Sequence, residues 1–282
     1  MVKILREEFQ KLFEKYENGE DVYSEELNEF SNKLIDRIKD GEHICLYRYS
    51  SADYYNIRTL ETDMLYLSEG GKMNDIFEGL QVSDDIVPNS KELEKISDIA
   101  RIKCFSEEKE SLYMWGHYGD NSSGICIEYD LSLLNPDDEV LKHLFPVIYS
   151  ENRFKGNFSF DKLIECRSSY PYSDTYDIGE LSEINLLYLV KSKDWEKERE
   201  WRILFNIWEI FERAEKDKNI DTYYIHMDCV SAVYMGYRMD EHKKIHIKEI
   251  VDRKNQHRDK EHKIVLYDAY IHPKEYKICS KK

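Results

Sequence analysis

The chain has 282 residues, of which 41% are hydrophobic and 35% charged, and its formal net charge is −16. This length suits one large domain or one domain with an appendage, with aromatic residues enough for a sizeable core. The acid excess argues against general nucleic-acid binding, which depends on Lys and Arg neutralising phosphates, and no apolar run approaches the ~20 residues of a membrane span.

Residues 1–40 read as an N-terminal helical hairpin ahead of a domain over 41–282. Leu5, Phe9, Leu12, Phe13 and Tyr16 recur at helical spacing, as do Leu27, Phe30, Leu34 and Ile38 after a Ser24 cap. The stripes either bury against the body or make a homodimer. The same amphipathic start lacks the uninterrupted apolar segment of a secretory leader, and six cysteines without C-x-x-C spacing read as reduced thiols. A cytoplasmic chain is expected.

From residue 41 the pattern changes. HICLYRY, MLYLS, RIKCF, GICIEYD and FPVIYS read as strands, being short, rich in β-branched and aromatic residues, and bounded by turn formers. SADYYNIRTLET reads as a helix with Ile57 and Leu60 inward. Residues 89–100 read as another helix, and 151–178 as a helix and long loop. ELSEINLLYLVK reads as helical, SAVYMGYRM as a strand and turn, DEHKKIHIKEIVDRK as a helix, and KIVLYDAYI as a last strand. Strands and helices mix without a βαβ beat, which predicts an α+β fold with a mixed or mainly antiparallel sheet.

Four segments carry chemistry-bearing side chains. In WEKEREWRILFNI a helix would align Trp201, Leu204, Phe205 and Trp208, but the alternation and the aromatic and isoleucine content favour a strand from about Glu198 to Ile207, which places Glu198, Glu200 and Arg202 on one face, each about 7 Å from the next. A buried face requires those charges to be paired or functional; an exposed face would be plain surface. In SLYMWGHYGDNSSGICIEYD, His117 has the side chain suited to proton transfer near neutrality, and Trp115 and Tyr118 are flat groups for stacking; the alternative is aromatic packing. In LYLSEGGKMNDIFEG, Ser68, Asn74, Asp75 and Glu78 either face a ligand or form a turn and a helix cap. In LYRYSS, Arg48 lies between Tyr47 and Tyr49 in an apolar strand, where it reaches the rim or clamps an anion. No dinucleotide or P-loop fingerprint is present.

These segments, in this order, resemble an uncharacterised bacterial family, domain of unknown function 2971. The similarity covers roughly residues 43–240. Its elements are Leu46-Tyr47-Arg48-Tyr49, Leu67-Ser68, Asn74-Asp75-x-Phe77-Glu78-Gly79, Cys104-Phe105-Ser106, Trp115-x-His117-Tyr118, Gly124 to Asp130, Lys191-Ser192, and Trp195 leading into Glu198-x-Glu200-x-Arg202. Ile76 departs from the proline usual after the Asn-Asp pair.

The order Arg48, Ser68, Glu200 is also similar to that of ADP-ribosyltransferase-like enzymes. That resemblance implies NAD as substrate, with Glu200 facing the ribose and Glu198 orienting an acceptor. It also implies Arg48 and its neighbour Tyr49 at the pyrophosphate, Ser68 at the ribose, and Trp115, His117 or Tyr118 against a ring. The acceptor would be a macromolecule or water, in a bacterial stress or phage-defence setting. Two other readings stand beside it. One is a metal-dependent hydrolase or nuclease using Asp75, Glu78, Glu128, Glu198 and Glu200. The other is a non-catalytic sensing module, in which Glu200 is fully paired and no cleft remains.

Overall fold

Apolar side chains at three- and four-residue intervals give helices at Val2–Glu17 (α1) and Ser24–Lys39 (α2) in the computed structural model. The model describes residues 2–17, 24–77, 100–152 and 185–282. The helices expected over 89–100 and at the start of 151–178 therefore lie essentially outside the described residues. Leu5, Phe9, Phe13, Leu27, Phe30 and Leu34 are buried in the same core as the central strands. The Phe30 ring lies 6.1 Å from Phe145 and 6.3 Å from Trp201. Each such side chain contributes about 1.5–3 kcal/mol by burial. In their described residues both apolar stripes thus bury against the body.

The strands are β1 (Cys45–Ser50), β2 (Met64–Tyr66), β3 (Ser68–Glu69), β4 (Ala100–Ser106), β5 (Ile125–Asp130), β6 (Leu144–Pro146) and β7 (Ile148–Ser150). They continue with β8 (Val190–Ser192), β9 (Glu200–Asn206), β10 (Tyr224–His226), β11 (Val230–Met235), β12 (Val265–Ile271) and β13 (Ile278–Lys281). Among the described residues one nine-stranded sheet runs β13-β12-β11-β5-β1-β4-β9-β6, with β3 on the edge of β4. Only β11 and β12 run parallel within it, so the fold is α+β with a mainly antiparallel sheet. The remaining helices among the described residues are α3 (Tyr54–Thr62), α4 (Leu112–His117), α5 (Glu139–Lys142), α6 (Ile207–Lys216) and α7 (Glu241–Asn255). Asp53 caps α3, Ser111 caps α4 and Asp240 caps α7 by accepting backbone N–H groups. Ile57 and Leu60 of α3, and Ile247, Ile250 and Val251 of α7, face inward as their spacing predicts.

Two elements differ from expectation. The segment expected as a helix over 180–191 is not helical to its end: the described helical residues 185–187 give way to β8 at Val190. The apolar run of ELSEINLLYLVK fits either period, and pairing of β8 with β7 decides its last residues. The strand expected over 198–207 covers Glu200–Asn206 instead. A 3-10 turn over Lys193–Glu198 precedes it, and α6 begins at Ile207. All seven residues of β9 are buried, so its polar face is interior.

One feature of the sheet positions the site. β1 meets β4 only at Tyr47↔Ser106, while β3 meets β4 at Ser68↔Ile102 and Glu69↔Arg101. The two strands fork after that first pair, and a cavity of about 180 Å³ opens in the fork.

Candidate functional site

The floor of the cavity is built by the turn into β9. Ser192 caps the 3-10 turn by accepting the Asp194 N–H. The Lys191 ammonium lies 4.7 Å from the centre of the Trp195 ring. Arg199 then takes a left-handed conformation, φ 47° and ψ 50°, and reverses the local direction before β9 starts. Two glutamates separated by one residue consequently converge. Lys191 Nζ donates to Glu198 Oε2 at 2.7 Å and to Glu200 Oε2 at 3.2 Å.

Behind them, Arg202 Nε and Nη2 donate to Glu200 Oε1 and Oε2 at 2.8 and 3.0 Å, a two-pronged pair. Arg202 Nη1 donates to the Tyr188 carbonyl at 2.5 Å. The Tyr118 hydroxyl donates to Glu198 Oε1, and the Asn74 amide donates to the Tyr118 oxygen. Lys191, Glu198, Glu200 and Arg202 are all 4% exposed or less, so their two positive and two negative charges balance out of water.

The two carboxyls are pushed in opposite directions. Burial raises both. At Glu200 the Arg202 guanidinium and then the Lys191 ammonium overcome burial and bring the pKa to about 2. At Glu198 burial prevails over Lys191, the negative Glu200 adds to it, and the carboxyl stands above its ordinary range. Burial and the bond to Glu198 also raise the Tyr118 phenol. The site thus holds one firmly ionised carboxylate beside one with higher proton affinity, an arrangement suited to acid-base work.

Of the residues expected from the sequence, Arg48, Tyr49, Ser68, Asn74, Tyr118, Glu198 and Glu200 line this cavity, and Arg202 holds Glu200 from behind. Others stand elsewhere. Trp115 is buried edge-on against Tyr49, ring centres 5.1 Å apart, so it is core and not a stacking platform. His117 is exposed, stacked on Tyr113 at 4.1 Å, with Nδ1 2.9 Å from the Tyr113 carbonyl oxygen. It does not line the cavity, because α4 turns its last residues outward. Asp75 is buried outside the lining, and its Oδ1 accepts the Phe77 N–H at 3.0 Å, the turn-forming alternative. Glu78 lies outside the described residues. Glu128 accepts hydrogen bonds from Ser231 and Tyr234 on β11, away from the glutamate pair.

Sequence reasoning missed Lys191 and Lys103 as site residues. Lys191 organises both glutamates, and Lys103 lines the cavity beside Arg48. The signal was available: each is a cation within an apolar run, LLYLVKS and RIKCF, the same pattern that singled out Arg48, although RIKCF also carries Arg101.

Among the described residues, no group of three or more His, Cys, Asp or Glu side chains is placed to hold a metal ion. No helix among them is long and apolar enough to cross a membrane. Cys45, Cys126, Cys229 and Cys279 are free thiols. No curated protein and no solved structure matches the chain. Residues 114–203, from within α4 into β9, match the family model described as protein of unknown function (DUF2971), and that matched segment carries Tyr118, Lys191, Glu198, Glu200 and Arg202.

Proposed function

We propose that the cavity is the active site of an enzyme that breaks a nucleotide's glycosidic bond. NAD is the first substrate to test, with the ADP-ribosyl group passing to a macromolecule or to water. The observation that carries this reading is the glutamate pair around Lys191, with its opposed proton affinities at the floor of a cavity that also contains Arg48. In such a reaction the bond between ribose C1′ and the nicotinamide nitrogen breaks, and its electron pair leaves with neutral nicotinamide. The acceptor's nucleophilic atom bonds to C1′ and gives up its proton.

In this reading Glu198, and not Glu200, takes the reacting role. Both Glu200 oxygens are held by Arg202, and one also by Lys191, whereas Glu198 is the carboxyl suited to taking the acceptor's proton. Glu198 also supplies negative charge opposite the developing oxocarbenium. Glu200 keeps Lys191 charged and in place, Tyr118 orients Glu198, and Arg48 faces the pyrophosphate. The net charge of −16 favours a protein or water acceptor over a long nucleic acid.

One observation favours a second reading, a sensing pocket without chemistry: the charge of Glu200 is fully balanced by its own neighbours. Nicotinamide release from NAD, measured with and without EDTA on wild type and Glu198→Gln, separates the two. EDTA-insensitive release lost in the variant supports the enzyme. Saturable NAD binding without release, in the presence of candidate protein acceptors, supports the sensor.

A further inference from the structure

Strand alternation places a second group of charges on the other face of the sheet. Tyr47 pairs with Ser106, and Ser106 with Glu200, so those three side chains share a face. Arg48 and Lys103, each an odd number of residues away, project from the opposite face. Both reach the fork between β1 and β4, where the inner cavity and an outer chamber of about 710 Å³ share lining residues. Arg48, Ser68 and Lys103 border both spaces and so form the waist between them.

The two cations at this waist lack the counter-charges that Lys191 and Arg202 have. Lys103 Nζ donates to the main-chain oxygen of Tyr66 at 3.0 Å. Arg48 Nη2 donates to Asn56 Oδ1 at 2.6 Å, and its Nη1 is buried with no hydrogen-bond partner. Neither residue is ion-paired with a carboxylate among the described residues. Burial, and then the positive charge of Arg48, push the Lys103 ammonium well below its ordinary range. Two adjacent half-buried cations are costly unless negative charge enters with a ligand. The outer chamber offers such a ligand a further cation, Arg58, and the aromatic rings of Tyr55, Tyr66 and Tyr224.

We infer that Arg48 and Lys103 form a seat for a doubly charged phosphate-type group at the waist of the cavity. The seat deepens the nucleotide reading, and rests on it for the natural ligand being a nucleoside diphosphate. The charge argument itself requires only the two unpaired cations. In that arrangement the glycosidic end of the ligand enters the inner cavity toward Glu198 through the fork, and the other end occupies the outer chamber.

The test uses inorganic pyrophosphate at constant ionic strength, with binding followed by titration calorimetry and thermal unfolding. Wild type is expected to bind it saturably and to melt at higher temperature with it. Lys103→Met should weaken binding at least tenfold, yet melt above wild type when no anion is present, because a half-buried charge without a carboxylate partner has been removed. Arg48→Met is the second variant, with the same expected loss of binding. Absence of saturable binding to wild type overturns the seat, as does a folded Lys103→Met protein that binds as tightly as wild type. Weakened binding accompanied by a lower ligand-free melting temperature also overturns it, since that marks a structural lysine. Lys103-dependent pyrophosphate binding in a protein that never cleaves NAD upholds the seat and ends the NAD reading. NAD cleavage with unchanged KM in Lys103→Met upholds that reading and overturns the seat.

Discussion

Glu198 and Glu200 share one ammonium: Lys191 Nζ stands 2.7 Å from the first and 3.2 Å from the second. The sharing is unequal in consequence, because Arg202 grips only Glu200. The two carboxyls are therefore expected to respond differently to the same substitution. Glu198→Gln should lower the rate of nicotinamide release by about 10²–10⁴-fold, the usual range for a lost general acid or base, with a small change in stability. Glu200→Gln should destabilise the fold by about 3–5 kcal/mol, because it strands the buried Arg202 charge. Urea unfolding alongside the release assay checks both. If the two variants prove indistinguishable in both measurements, the division of roles is wrong.

Removing the shared cation has its own signature. Lys191→Met leaves two buried carboxylates facing each other, Glu200 still held by Arg202 and Glu198 by the Tyr118 hydroxyl. Burial and the Glu200 charge already raise Glu198, and loss of the ammonium removes the main group opposing them. The acidic limb of the pH–rate profile should therefore move to higher pH, and a profile unchanged from wild type would contradict this.

Stability below neutral pH follows from the depressed carboxyl. The pKa of Glu200 is about 2 in the folded chain, below its ordinary 4.5. Its favourable contribution is therefore fully present above pH 4.5 and is lost as pH falls through about 2. Glu198 is shifted the other way, so its share of the balance has the opposite sign. The difference in melting temperature between wild type and Glu200→Gln should accordingly shrink as pH is lowered across that window. A difference that stays constant down to pH 2 would refute the assignment.

The N-terminal helix reaches the site from behind. Arg6 Nη2 donates to the Glu200 carbonyl at 2.6 Å, Nη1 donates to the Val147 carbonyl, and Nε donates to Glu107 at 2.5 Å. The same Glu107 oxygen accepts the Trp201 indole N–H at 2.7 Å. Arg6→Ala should cost about 2–4 kcal/mol in stability, since it leaves a buried carboxylate and two carbonyls short of a donor. It should also reduce catalysis, although Arg6 does not border the inner cavity. Equal activity per folded molecule would show that the helix supports the fold and not the site.

Much of this arrangement was legible in the sequence, for physical reasons that differ by residue. Period-2 runs such as GICIEYD and period-3.6 stripes such as Ile247, Ile250 and Val251 report burial directly, and the elements followed. Arg48 stood out because a cation in an apolar strand demands an explanation, and the same rule applied evenly would have found Lys103 and Lys191. Trp115 and His117 misled because proximity in sequence says nothing about direction: a two-turn helix sends one inward and the other outward. The convergence of Glu198 and Glu200 was foreseen for the wrong reason. Alternation along a strand was expected to align them, whereas a left-handed residue brings them together.

That left-handed residue has a consequence for which sequences the site tolerates. Position 199 is occupied by arginine at φ 47°, a backbone region that β-branched side chains resist and that glycine and asparagine enter readily. Across a saturation library the preferred replacements at 199 should be ranked by backbone freedom and not by charge. Gly and Asn should survive, while Val, Ile and Pro should be depleted, as though the position itself were invariant glycine in disguise.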